Sequence, residues 1–175
     1  MPDLLIFEPQ VFGDSRGFFL EAYHQKKYAD LGLNTHFVQD NLSCSEKGVL
    51  RGLHFQNPQA QGKLISVIQG VVFDVAVDIR VDSPTFSEWV AVELSGENKK
   101  QFWVPPGFAH GFCVLSAEAI FHYKCTDFYA PEHDGSIRWD DPDVGIDWPI
   151  KNPLLSDKDS QAPFLKEVGK ERLNF

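Results

Sequence analysis

Residues 71–80 have the sequence Val-Val-Phe-Asp-Val-Ala-Val-Asp-Ile-Arg, in which apolar and polar residues nearly alternate. Every odd-numbered position is apolar, whereas the even-numbered positions include Asp74, Asp78 and Arg80. An apolar period of 2 indicates a β-strand, because successive side chains of a strand point to opposite faces. The stretch therefore predicts a strand with one face in the core.

The neighbouring segments also have the character of strands. Residues 64–68 precede this strand, and we expect residues 69–70, Gln-Gly, to form the turn between the two. Residues 89–94 are apolar on both faces, as in a packed sandwich, and residues 119–129 are a further strand candidate. Strands therefore account for most of the chain.

Helix signals are few. Residues 23–31 contain helix-forming residues and stop at Gly32, a typical position for the glycine that ends a helix. Ser156 begins a region in which we expect a short capped turn and then a weak helix. Many short strands separated by glycine and proline predict an all-β protein, either an antiparallel sandwich or a jelly-roll barrel with an interior ligand cavity.

Length and composition exclude several classes of protein. The 175 residues favour one domain that spans residues 1–175. The net charge of −9 argues against nucleic acid or an anionic membrane surface as the main partner, because both attract a basic face. No apolar run approaches the roughly 18 residues of a membrane span, and the first residues lack the pattern of a signal peptide. Three widely spaced cysteines suggest no disulfide framework, so a cytoplasmic setting is expected.

Two motifs contain the candidate chemistry. Residues 49–56, Val-Leu-Arg-Gly-Leu-His-Phe-Gln, place an arginine that can clamp an anion near a histidine that can move a proton. Residues 105–110, Pro-Pro-Gly-Phe-Ala-His, resemble the latter half of the cupin signature, whose histidine binds metal in metal-dependent members. The earlier half of that signature supplies His-x-His and a glutamate, but only His54 is present here. Because so few ligands make a poor metal site, no metal is expected.

Further motifs extend this resemblance over nearly the whole chain. In chain order they are residues 12–21, 39–43, 48–56, 61–63, 105–110, 123–124 and 135–142. Their order and spacing resemble the dTDP-4-dehydrorhamnose 3,5-epimerase family, whose members are metal-free cupin-type enzymes. The resemblance implies a cupin-type double-stranded β-helix, that is, a jelly-roll barrel with a few short helices. It also implies a single epimerase domain over residues 1–175 and no cofactor.

The resemblance implies a substrate and a reaction. The family's substrate is dTDP-4-dehydro-6-deoxy-D-glucose, whose ketone at carbon 4 acidifies the protons at carbons 3 and 5. Epimerisation to dTDP-4-dehydro-L-rhamnose needs a base on one face of the ring, stabilisation of the enolate, and an acid on the other face. The expected role of the chain is therefore that of an isomerase in dTDP-L-rhamnose biosynthesis.

Four residues match the family's catalytic groups. His54 matches the base, and Asp159 matches the carboxylate that orients this histidine and stabilises its protonated form. An alternative role for Asp159 is helix capping, since it lies three residues after Ser156, and the two roles are compatible. Lys63 matches the cation beside the developing enolate oxygen, and Tyr123 matches the proton donor to the opposite face.

A larger set of residues matches the substrate-binding positions. They are Arg16, Phe19, Glu21, Gln39, Asn41, Arg51, His110, Phe128, Tyr129 and Arg138. Arg16 and Arg51 resemble contacts to the diphosphate, for which an arginine fork is well suited. Phe128 or Tyr129 is expected to stack on the base, and the sequence leaves open which of them does so. In this family the N-terminal strands reach across a homodimer, so some of these residues are expected to serve the partner's site.

Two expectations concern the faces of strands. If Tyr123 points into the barrel, the neighbouring His122 points out of it. In a regular strand the side chains of Arg51 and His54 would point to opposite faces. We therefore expect a bulge at Gly52 that brings both side chains to the cavity. Without such a bulge, Arg51 would contact the phosphate from the rim of the cavity.

Other functions remain open at this point. The same scaffold also serves enzymes that invert only carbon 3 or only carbon 5, and 3,4-ketoisomerases. The His54–Asp159 and Tyr123 pattern favours epimerisation over ketoisomerisation, but it does not fix how many centres invert. A third possibility is a sugar-nucleotide-binding cupin without turnover, although a pure binder would not need a base, a carboxylate and a phenol together.

Overall fold

The computed structural model describes Met1 and residues 3–175. Within this part of the chain, strands predominate and the helices are short. The strands are β1 (Leu5–Phe7), β2 (Val11–Asp14), β3 (Gly17–Leu20), β4 (Gln39–Glu46), β5 (Leu50–Gln56), β6 (Lys63–Gln69), β7 (Val71–Asp78), β8 (Trp89–Ser95), β9 (Gln101–Val104), β10 (Phe108–Val114), β11 (Glu118–Cys125) and β12 (Asp134–Ser136). The helices are α1 (Gln25–Asp30) and α2 (Asp157–Ser160), with 3₁₀ turns at Pro131–His133, Leu165–Glu167 and Lys170–Arg172.

Two five-stranded antiparallel sheets form the body of the molecule. The first has the order β1-β9-β6-β11-β4 and the second the order β12-β5-β10-β7-β8. Apolar side chains of both sheets, such as Phe102, Phe112 and Phe121, meet between them in one buried cluster. Strands β2 and β3 form a separate two-stranded hairpin. The predicted all-β jelly roll of the cupin type, with a few short helices, is confirmed.

The junction at Gln69-Gly70 differs from the predicted turn. Strand β6 pairs with β9 and β11, whereas β7 pairs with β8 and β10, so the two strands lie in different sheets. Gly70 has a φ of +82°, and a Cβ there would lie 2.1 Å from the Glu118 carbonyl oxygen. The prediction of a hairpin turn was therefore wrong, because the glycine carries the chain around a corner from one sheet to the other.

Strand β7 is buried on both faces rather than on one. Its side chains Val75 and Val77 pack in a cluster on the outside of the second sheet, and Val72 and Ala76 pack between the sheets. Asp74 and Asp78 are fully buried. The strand itself was predicted correctly with one face in the core, but the structure also buries its other face, which the first sheet covers.

Other predicted elements differ mainly in their ends. The strand expected over residues 119–129 ends at Cys125, and α1 occupies only part of residues 23–31. The chain leaves α1 through Gly32 at a φ of +100°, as expected for a helix-ending glycine. The short capped turn expected at Ser156 is the helix α2, which Ser156 caps, and two 3₁₀ turns take the place of the weak helix expected after it. None of the helices in the described residues has the length and apolar character that a membrane span requires.

Asp78 is the centre of a buried polar cluster at the end of β7. Its carboxylate accepts hydrogen bonds from the Arg80 guanidinium, with Nε at 2.9 Å and Nη2 at 2.7 Å. The hydroxyls of Ser83 and Thr85 donate to the same carboxylate at 2.6 and 2.7 Å. Burial favours the neutral acid, but these hydrogen bonds outweigh burial and lower the pKa of Asp78 to about 2.

We expect Asp78→Asn to lower the free energy of unfolding by about 2 kcal/mol at pH 7, because a charged acceptor of four groups is lost. Since the folded pKa lies below the ordinary value of 3.8, this contribution is complete above pH 3.8 and is lost as the pH falls towards 2. Urea unfolding of both proteins at pH 7 and pH 3 measures the difference. A loss of stability as large at pH 3 as at pH 7 would contradict the assignment.

Candidate active site

A cavity of about 290 Å³ lies between the two sheets. Six of the predicted site residues line it, together with Leu42, Ser43, Phe112 and Phe121. The first sheet contributes Asn41, Lys63 and Tyr123, and the second sheet contributes Arg51, His54 and His110. The cavity therefore presents a histidine and a phenol from two facing walls.

A bulge in β5 brings Arg51 and His54 to the same cavity. His54 pairs with His110 and Arg51 pairs with Phe112, so two residues of β5 lie opposite the single residue Gly111 of β10. Gly52 has a φ of +131°, and a Cβ on it would lie 2.5 Å from the Gly111 Cα. The predicted bulge at Gly52 is present, and it depends on a residue without a side chain.

His54 forms a close pair with Asp159, which lies 105 residues further along the chain. The His54 Nε2 and the Asp159 Oδ1 are 2.5 Å apart, and Asp159 is buried while about a third of the His54 side chain is exposed. The Asp159 backbone N–H donates to the Ser156 hydroxyl, so the residue also belongs to the cap of α2. Burial favours the neutral acid, but the hydrogen bonds from His54 and Ser156 hold the pKa of Asp159 below its ordinary value.

Lys63 and Tyr123 lie side by side on the opposite wall. The Lys63 Nζ is 6.0 Å from the centre of the Tyr123 ring. Burial lowers the pKa of Lys63, whereas the charges of Cys125 and Asp134 act in the opposite direction. Burial raises the pKa of Tyr123, so the phenol retains its proton at neutral pH and can donate it.

The side chains of β11 point alternately to the two sides of the first sheet, as predicted from the sequence. Tyr123 lines the cavity, whereas His122 and Lys124 line a groove on the outer side of the same sheet. That groove has a volume of about 370 Å³, and its walls are largely apolar with several lysines. None of the residues that line this groove was predicted as a site residue, so we place the candidate chemistry in the smaller cavity between the sheets.

Asp74 is a candidate site residue that sequence reasoning missed. Its carboxylate lies 2.9 and 3.1 Å from the His110 Nε2, and both residues are buried. Burial lowers the pKa of His110 although Asp74 opposes this, and burial raises the pKa of Asp74. The contact fixes the His110 ring with Nε2 as donor to Asp74. The available signal was a carboxylate in the middle of the apolar strand formed by residues 71–79.

Another group of polar side chains lies next to β4, at the rim of the cavity. The Gln39 side chain accepts from the Tyr129 backbone N–H at 2.9 Å and donates to the Asn41 oxygen at 3.1 Å. The Tyr129 hydroxyl donates to Asp134 at 3.2 Å, and Lys158 forms an ion pair with the same carboxylate. Asp134 and Lys158 were not predicted as site residues, and neither motif spacing nor strand periodicity points to them.

Phe128 and Tyr129 both remain candidates for stacking on a base. Phe128 is 60% exposed and Tyr129 is 54% exposed, so either ring has a free face. The structure therefore leaves the choice between them as the sequence left it.

Four predicted binding residues lie away from this chain's own cavity. Arg16 is on the turn of the β2–β3 hairpin, where its exposed guanidinium pairs with Asp14. Phe19, on the same hairpin, is 68% exposed, and Glu21 pairs with Lys27 at 2.8 Å. The Arg138 side chain bonds to Asp140 at 2.6 Å and lies over the ring of Phe164. Their substrate-binding roles stay predictions.

No metal cluster is found in the described part of the chain, since no three His, Cys, Asp or Glu side chains there lie in a metal-binding group. The polar side chains of the cavity are instead paired with one another, as His54 is with Asp159 and His110 is with Asp74.

Comparison with known proteins shows the family. The family model described as dTDP-4-dehydrorhamnose 3,5-epimerase matches residues 1–167. The enzyme of that name from Shigella flexneri is 60% identical over 91% of this chain and 89% of its own length. The one from Pseudomonas aeruginosa is 59% identical over 93% and 91%.

Solved structures agree with this result. The crystal structure of dTDP-6-deoxy-D-glucose-3,5-epimerase from Legionella pneumophila Philadelphia 1, in complex with dTDP-4-keto-L-rhamnose, has a TM-score of 0.97. It is 57% identical and covers 99% of this chain and 94% of its own. The chain therefore belongs to the dTDP-4-dehydrorhamnose 3,5-epimerase family, which confirms the family and the isomerase class predicted from the sequence motifs.

Proposed function

We propose that the chain inverts carbons 3 and 5 of dTDP-4-dehydro-6-deoxy-D-glucose, with His54 as base and Tyr123 as acid. One observation carries this assignment. His54 and Tyr123 line the same cavity from facing sheets, so a sugar ring between them would meet a base on one face and a proton donor on the other. Removal and return of a proton on opposite faces is what inversion requires.

Asp159 and Lys63 support the two steps of this mechanism. When His54 takes a proton from carbon 3 or carbon 5, the adjacent Asp159 carboxylate stabilises the imidazolium that forms. The electrons move towards the carbon-4 oxygen, and the Lys63 ammonium, which lines the cavity, stabilises the negative charge that develops there. Tyr123 then donates its proton to the other face of the same carbon. No redox cofactor is needed, because the epimerisation leaves the oxidation state of the substrate unchanged.

His110 adds a polar contact to the same cavity. Because Asp74 engages the His110 Nε2, the other ring nitrogen is left to bond to the sugar. We propose that this pair orients the ring so that carbons 3 and 5 reach His54 in turn. Orientation of this kind accounts for much of the rate of an enzyme reaction.

Inversion of both centres is supported by the relatives. The 3,5-epimerases cited above are 57–60% identical to this chain, whereas a dTDP-4-dehydrorhamnose 3-epimerase from Streptomyces niveus is 39% identical. The test is to incubate the enzyme with dTDP-4-dehydro-6-deoxy-D-glucose and to determine the product's configuration by proton NMR coupling constants. A product inverted at only one carbon would favour the single-centre alternative.

We also propose a homodimer in which the β2–β3 hairpin reaches the partner's site. The hairpin exposes three phenylalanines, Phe12, Phe18 and Phe19, at 55–68% of their surface. Its turn presents Arg16, which lies away from this chain's own cavity. An exposed apolar surface of this kind suits an interface between two copies, and Arg16 would then meet the diphosphate bound by the partner subunit.

We expect Arg51→Ala and Arg16→Ala each to raise the Kd for dTDP by about 10-fold or more, because each removes a charged contact to phosphate. Isothermal titration calorimetry measures these dissociation constants.

Mixed dimers show whether Arg16 contacts the substrate of its own subunit or that of the partner subunit. Co-expression of Arg16→Ala with His54→Ala subunits should restore activity at one site per dimer if Arg16 serves the partner's site. No recovery would place Arg16 in its own chain's site.

Two coarser proposals complete the assignment. Residues 1–175 are proposed to form one epimerase domain, since the two sheets share one buried cluster. A cytoplasmic location is proposed because Cys44, Cys113 and Cys125 are all free thiols, which suits a reducing compartment.

A further inference from the structure

Residues 170–175, here called the strap, pack against the end of β5. The Asn57 side chain donates to two strap carbonyls, Arg172 at 3.1 Å and Asn174 at 2.9 Å. The Arg172 guanidinium lies over the Phe55 ring, and the Phe175 ring meets the same Phe55 edge-on at 6.4 Å. The strap therefore contacts both Phe55 and Asn57, which are the chain neighbours of Gln56.

Gln56 holds the segment that contains Phe128 and Tyr129. Its side-chain amide donates to the carbonyls of Gln59 and Phe128, and its oxygen accepts from the Ala130 N–H at 2.9 Å. Gln56 is almost fully buried, so these bonds are shielded from water. The backbone that carries the exposed Phe128 and Tyr129 rings is therefore hydrogen-bonded to Gln56 at the end of β5.

A second link joins the strap to the same segment directly. The Arg172 Nη2 donates to the His133 carbonyl at 2.8 Å, and the Asn57 backbone N–H donates to the same oxygen at 3.1 Å. The His133 ring also contacts the Gln59 side chain at 2.8 Å. Residues 128–134 are therefore held by hydrogen bonds at both ends. Gln56 binds the first end, and Arg172 and Asn57 bind the second end at His133.

We propose that the strap is a positioning element for the nucleotide end of the substrate. It fixes residues 128–134, and so sets the affinity for the nucleotide, without touching the sugar carbons that react. The proposal rests on the function proposed above, in which Phe128 or Tyr129 stacks on the base. A preorganised stacking surface binds more tightly, because less conformational entropy is lost on binding.

Arg172→Ala and Asn57→Asp test the proposal by removing the strap's contacts in two ways. The first deletes the guanidinium, and the second replaces both donor hydrogens by a carboxylate of nearly the same size. Lys170→Ala is the matched control, since Lys170 belongs to the strap but its side chain is exposed. For both test variants we expect the Kd for dTDP and the KM to rise about 10-fold, with kcat within about twofold of the wild type.

Hydrogen exchange gives a readout that does not depend on activity. Amide exchange of residues 128–134 should be faster in Arg172→Ala and Asn57→Asp than in the wild type and in Lys170→Ala, and exchange in β7 should be unchanged. If the wild type binds dTDP and both variants bind it equally well with unchanged exchange, the inference is overturned while the proposed function stands. A wild type that binds no dTDP would overturn both.

Discussion

His54→Ala should abolish epimerisation while leaving the binding of dTDP almost unchanged. Loss of a positioned general base lowers the rate by roughly 10²–10⁴-fold, and Asp159 cannot replace it because that carboxylate is buried behind the imidazole. The nucleotide is expected to bind at the rim, away from His54. Turnover by NMR and dTDP affinity by calorimetry measure the two effects separately.

His122→Ala is the matched control for this experiment. His122 is a histidine of the first sheet that lines the outer groove, with Asp40 at 3.7 Å as its partner. Its removal should leave the rate within about twofold of the wild type. A His54→Ala enzyme that retains a tenth or more of the wild-type rate would remove His54 as the base.

Tyr123→Phe should separate proton removal from inversion. His54 still takes the proton, but the other face lacks its donor, so formation of the inverted product should fall by roughly 10²–10⁴-fold. In deuterated water His54 can return a deuteron to the face from which it took the proton. We therefore expect the recovered substrate to contain deuterium without a change of configuration, which NMR and mass spectrometry detect.

Tyr23→Phe controls for the loss of a hydroxyl from an aromatic residue. Tyr23 lines the outer groove and stands against Phe37 and Tyr28, away from the cavity between the sheets. The Tyr23→Phe enzyme should form the inverted product at the wild-type rate. Wild-type inversion by Tyr123→Phe would mean that another group, or water, delivers the second proton.

Local sequence patterns predicted those features that depend on local geometry. The period of 2 in residues 71–80 located β7, and the conflict between the faces of Arg51 and His54 located the bulge at Gly52. The same alternation placed Tyr123 and His122 on opposite sides of β11. Each of these follows from the two-residue repeat of a strand, which the sequence displays directly.

Features that depend on the pairing of distant segments could not be predicted in this way. Gln69-Gly70 has the composition of a hairpin turn, but which sheet each strand joins is decided by partners far along the chain. The prediction assigned only the odd-numbered face of β7 to the core and so left out Asp74, because the cover of Asp74, the first sheet, is distant in sequence. The pairing of His54 with Asp159 came from resemblance to a family, since 105 residues separate the two.

Proton exchange in deuterated water shows whether the cavity between the sheets is a site that removes and returns protons on opposite faces of the sugar. The wild type is incubated with dTDP-4-dehydro-6-deoxy-D-glucose in deuterated water, with His54→Ala in parallel, and the sugar is followed by proton NMR. We predict loss of the carbon-3 and carbon-5 proton signals with the wild type and retention of both with His54→Ala. Loss of only one signal with the wild type would limit the enzyme to one centre, and loss of neither, with dTDP bound, would contradict the account.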